Sequence, residues 1–118
     1  MPSINDFVGT WHIVDMEMWD ADYFNMEGQA YPHINEDGLG DVQFGLVNGR
    51  IDGNVDASAD CFRFTWNGRD EMDSVHGSGR LDCPDNGEAT DMIKFHMGDR
   101  SAFRVVKSPD ETGSVPER

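Results

Sequence analysis

Positive charge is what this chain has least of. Nine lysines and arginines stand against 23 aspartates and glutamates, a formal net charge of −14 in 118 residues. Only Lys94 and Lys107 are lysines. Such a surface repels phosphate backbones and anionic headgroups, so neither nucleic acid nor membrane is an expected partner. The carboxylates fall largely in turns rather than in ordered rows. Of three readings, that favours a plain well-hydrated acidic surface, with adaptation to a salt-rich source as the second and mimicry of nucleic acid as the third. Cysteine is scarce too: Cys61 and Cys83 are too few for a disulfide framework. A hairpin over 60–83 brings them nearly opposite, and a reducing compartment keeps them as thiols. No apolar run approaches the length of a membrane-spanning helix. The segment Met1-Pro2-Ser3-Ile4-Asn5-Asp6 lacks the basic and apolar regions of an export signal, so the expected location is cytoplasmic.

Motifs that carry chemistry are also missing. His12, His33, His76 and His96 are not spaced as His-x-x-x-His or His-x-His, and no metal or cofactor is expected. Ser78 and Ser101 stand outside any nucleophile elbow. Asp70-Glu71-Met72-Asp73 lacks the ligand spacing and bend glycine of a calcium loop.

Turn chemistry is abundant. Asp37-Gly38, Asn48-Gly49, Asn67-Gly68, Asn86-Gly87 and Gly98-Asp99 punctuate short runs rich in Val, Ile, Phe and Trp. This rhythm predicts about eight strands, near 7–18, 29–35, 39–47, 50–57, 60–67, 75–83, 90–97 and 100–107. It marks an antiparallel sandwich or barrel. Asp20 to Glu27 is acidic at its start and has no β-branched residue, which predicts one or two helical turns capped by Asp20. A two-residue turn at Asn48-Gly49 sets Phe44 opposite Gly53, and the Asp37-Gly38 turn sets Tyr31 opposite Phe44. One domain over 1–107 is expected, followed by a frayed tail over 108–118.

Gly9-Thr10-Trp11 on the first strand resembles the Gly-x-Trp pattern of the lipocalin and wider calycin superfamily. Three longer stretches, 9–19, 64–73 and 95–103, resemble segments of a family of small bacterial proteins to which no function is attached. The resemblance implies an antiparallel lipocalin-like barrel of about eight strands with a ligand pocket inside. It also implies that Trp11 closes the base under a cation from near the last strand. Arg104 is the residue that matches in position.

Strict alternation along the first strand puts Trp11, Asp15, Glu17 and Trp19 on one face. If Trp11 points inward, the two acids line a polar mouth; if the strand bulges, both reach solvent. The expected function is small-molecule binding in the barrel interior or mouth. Trp19, Tyr23, Tyr31 and Trp66 supply apolar contacts there, and Asp15, Glu17 and Arg80 orient polar groups. A second reading is a homodimeric interaction module, using the apolar outer stripe Val8, Val14, Met16 and Met18. A third is an enzyme with Glu17, Glu71 or His96 as acid–base groups.

Overall fold

The computed structural model describes residues 3–108. Eight strands run β1 Gly9–Met16, β2 Tyr31–Ile34, β3 Leu39–Phe44, β4 Val47–Asp56, β5 Cys61–Asp70, β6 Asp73–Asp82, β7 Glu88–Phe95 and β8 Arg100–Lys107. Each pairs antiparallel with its neighbour in sequence, and β8 pairs back onto β1, so the sheet closes into a barrel. The fold is all-β with one short α-helix, α1 Ala21–Phe24. As its acidic start predicts, the Asp20 side chain accepts from Tyr23 N at 3.2 Å and caps that helix.

The turns at Asp37-Gly38 and Asn86-Gly87 form where expected, with positive φ at Gly38, Asn86 and Gly87. Asn48-Gly49 and Asn67-Gly68 do not turn. They lie inside β4 and β5, where Gly49 faces Gly68 directly. A Cβ on Gly68 would strike the Asn48 carbonyl, and one on Gly49 would sit 2.9 Å from the Trp66 ring. Here glycine serves close backbone approach rather than reversal. The reversal falls instead at Gly45-Leu46, where α1 clamps it: Gly45 N donates to Phe24 O at 2.9 Å, and the Tyr23 ring fills the space a Gly45 side chain would need. The β2–β4 register shifts accordingly. Tyr31 stands opposite Gln43 rather than Phe44, Phe44 opposite Val47, and Gly53 opposite Phe64. Pro32, not Tyr31, is buried on β2.

β1 carries a bulge between Ile13 and Asp15 against β8. The extra residue flips the alternation above it. Asp15 and Glu17 are therefore exposed, whereas Met16 is buried at 5%. Of the two alternatives for the first strand the bulged one holds, and the placing of Asp15 and Glu17 at a polar mouth and of Met16 on the outer face is corrected. The acids do not line the interior, and the outer stripe loses Met16, leaving half-buried Val8 with exposed Val14 and Met18.

The interior is filled largely by aromatic side chains. Phe62, Phe64 and Trp66 point inward from β5. Glycines on both adjacent strands, Gly53 and Gly79, make room for Phe64. Trp66 lies between Ile51 on β4 and Gly77 on β6. Phe7 and Trp11 seal one end, with Trp11 Nε1 donating to Phe7 O at 2.9 Å. The cation over Trp11 is Lys107, its Nζ 4.6 Å from the ring centroid. Arg104 points outward, 3.9 Å from Glu88. Outward positions on β8 are even-numbered, so only an odd-numbered residue can turn in over the tryptophan. Ser108, expected in the frayed tail, is buried, and its N donates to Thr10 O at 3.0 Å. The rest of that expected tail, 109–118, lies outside the described residues.

Candidate functional site

At the end opposite Trp11, the loop after β1 folds over the barrel. Trp19 packs on Phe44 with ring centroids 5.3 Å apart, on Phe95 at 6.1 Å and on Tyr23 at 6.2 Å. Phe95 meets Trp66 edge-on at 5.0 Å, and Trp66 Nε1 donates to Lys94 O at 3.2 Å. Of the expected mouth residues, Trp19, Tyr23 and Trp66 thus share one aromatic cluster, which plugs the mouth. Tyr31 is half-buried on the outer side of β2, away from them. Asp15, Glu17 and Arg80 do not converge on the cluster. Glu17 accepts from Ala102 N at 3.1 Å on the outer surface, and Arg80 binds Asp82 at 2.9 Å on the barrel wall.

The acid–base candidates are equally dispersed. Glu71 occupies the β5–β6 turn with φ 60°, and His96 follows β7, stacked on His76. Among the described residues, Glu17, Glu71 and His96 share no hydrogen bond or ion pair with one another. Nor does any group of three or more His, Cys, Asp or Glu gather there as a metal site.

One carboxylate does enter the core. Asp91 alternates inward on β7 between Leu81 and Phe103 and is 2% exposed. Its Oδ1 accepts from Asp82 N at 3.2 Å, and its Oδ2 has no hydrogen-bond partner. Burial pushes the carboxyl well above the usual carboxylate range, against the smaller pull of the Asp82 N–H. The alternation Ala89, Asp91, Ile93 already carries this signal in the sequence.

The cations are distributed with more order. β5 sets Arg63 directly opposite Arg80 on β6, and β7 sets Lys94 directly opposite Arg100 on β8. All four are exposed on the outer wall. They ring an open cleft of about 270 Å³, with Ser78 and half-buried Met92 between them. Arg63 is held through Nε by Asp56 at 2.8 Å and Arg80 through Nε by Asp82 at 2.9 Å. Each guanidinium is oriented by one N–H and keeps its remaining donors. The Arg63 guanidinium holds the Asp56 carboxyl below its ordinary value, with Ser58 Oγ donating to the same group. Neither Lys94 nor Arg100 is in an ion pair among the described residues. Like charges directly opposite on a sheet repel. A chain with nine cations places four of them in two facing pairs side by side.

Sequence reasoning named Arg80 for the barrel mouth rather than for this wall, and did not single out Arg63, Lys94 or Arg100. The signal was present in the β5–β6 hairpin about Met72, whose register alone sets Arg63 against Arg80. No family model, curated protein or solved structure matches this chain, and the cleft is read from its own geometry.

Proposed function

We propose that this protein is a small-ligand-binding β-barrel whose ligand is an organic anion, held on the outer wall between Arg63, Arg80, Lys94 and Arg100. The observation that carries this reading is the pair of facing cation pairs. An anion between them relieves the repulsion and accepts charge-assisted hydrogen bonds from the guanidinium forks. Met92 offers an apolar contact to the rest of the ligand. The wall is preferred to the interior because the barrel's own aromatic side chains occupy the interior. The closed eight-strand order and the cation over Trp11 support a lipocalin-like kinship, with Lys107 in the covering role.

Calorimetric titration with phenyl phosphate, benzoate and neutral phenol tests the proposal. The two anions should bind saturably, weaken as salt rises, and lose about tenfold in affinity in Arg100→Gln, the equivalent of one charge-assisted contact. Equal responses to phenol and to the anions, or no saturable anion binding, would overturn it.

A further inference from the structure

The row of outward residues next to the anion cleft carries a different chemistry. Arg50, Asn67 and His76 stand opposite one another across β4, β5 and β6. His96 extends the row, because it follows the Gly77–Phe95 pair in the β6–β7 register. His96 N donates to His76 O at 2.7 Å, which fixes the two backbones side by side. The imidazoles lie 4.7 Å apart, centroid to centroid, and 23° from parallel. Both are exposed. Two of the chain's four histidines thus form one solvent-facing pair, His76 on β6 and His96 just past the end of β7.

We propose that His76 and His96 chelate a single borderline divalent transition ion, of the class of Zn²⁺, Ni²⁺ or Cu²⁺. Imidazole nitrogen suits this class, whereas Mg²⁺ and Ca²⁺ require oxygen ligands. Metal–nitrogen bonds of about 2.0–2.1 Å place two adjacent ligand nitrogens about 3 Å apart. Near-parallel exposed rings reach that spacing by χ1 and χ2 rotation, without backbone movement. Asn67, next in the row, brings a carboxamide oxygen to the same face. Water completes the coordination, since no third His, Cys, Asp or Glu joins the group among the described residues. The site is therefore an exchangeable one, and it does not depend on the anion cleft.

The chain's many carboxylates will gather divalent cations of any kind, so the test must separate imidazole from carboxylate binding. Nuclear magnetic resonance of the wild-type protein with substoichiometric Cu²⁺ should broaden the His76 and His96 signals first. Calorimetry with Zn²⁺ in the presence of excess Mg²⁺ should give one-to-one binding. That binding should weaken at least about tenfold in both His76→Gln and His96→Gln, and remain unchanged in His12→Gln. Broadening centred on the acidic turns, or Zn²⁺ binding indifferent to both substitutions, would overturn the proposal. The wild-type broadening decides the matter even if a variant folds poorly.

Discussion

Lys107 lies over Trp11, its Nζ 4.6 Å from the indole centroid and donating to the Val8 carbonyl at 2.5 Å. One side chain from the last strand thereby reaches both Trp11 on the first strand and the residue just before that strand. Removing the charge while keeping the length, Lys107→Met, should cost about 0.5–2 kcal/mol of unfolding free energy. Urea denaturation of the two proteins measures this. Arg104→Met, which alters only an exposed side chain 3.9 Å from Glu88, should change stability by less than about 1 kcal/mol.

Lys94 faces Arg100 on the wall with no carboxylate in an ion pair to either among the described residues. Lys94→Gln removes that repulsion, and thermal denaturation should show it slightly more stable, by about 0.2–1 kcal/mol. The same variant should bind phenyl phosphate less tightly. Opposite signs for stability and binding distinguish a functional cluster from an incidental one.

Gly79 sits where Phe64 needs room. An added Cβ would lie 2.6 Å from the Phe64 ring and 2.6 Å from the Met92 carbonyl. Gly79→Ala should therefore destabilise by about 1–3 kcal/mol through overpacking, read from the denaturation midpoint.

Asp91 makes stability depend on pH in an unusual direction. Its folded carboxyl titrates well above the unfolded one because burial disfavours the charged form. Between the two titration points the unfolded chain has released the proton and the folded one has not, so this residue's contribution falls as pH rises through that window. Below the unfolded value there is no penalty. Asp91→Asn, uncharged throughout, should gain stability relative to wild type as pH is raised upward from the ordinary carboxylate range. Subtracting the two melting curves cancels the other carboxylates. A difference that stays flat with pH would refute the assignment.

Cys61 is buried and Cys83 exposed, and both are free thiols raised by desolvation. In native protein a disulfide reagent should modify Cys83 alone, increasingly so at alkaline pH, and Cys61 only after denaturation. Mass spectrometry of the labelled peptides gives the order.

Much of this fold was legible because turn chemistry and apolar runs act locally. The strand positions, the Asp20 cap and the turns at Asp37-Gly38 and Asn86-Gly87 depend on residues close in sequence. Asn48-Gly49 and Asn67-Gly68 misled because their glycines answer to each other across β4 and β5, a long-range demand with no local mark. The bulge at Val14 was one of two alternatives for β1 that local sequence could not decide. It depends on how β1 meets β8, at the far end of the chain, and it decides whether Asp15, Glu17 and Met16 face water or core. The wall cleft needed the register of four strands at once, which explains why the sequence pointed Arg80 to the mouth instead.

Closure of the sheet has a consequence for how this molecule meets others. With β8 hydrogen-bonded to β1, the sheet of the described residues has no first or last strand to offer an unpaired backbone edge. The described barrel thus offers no terminal strand on which a partner or a second copy could extend the sheet. What the closed wall offers instead is side chains, and the facing cations Arg63, Arg80, Lys94 and Arg100 are where these break the general negative charge.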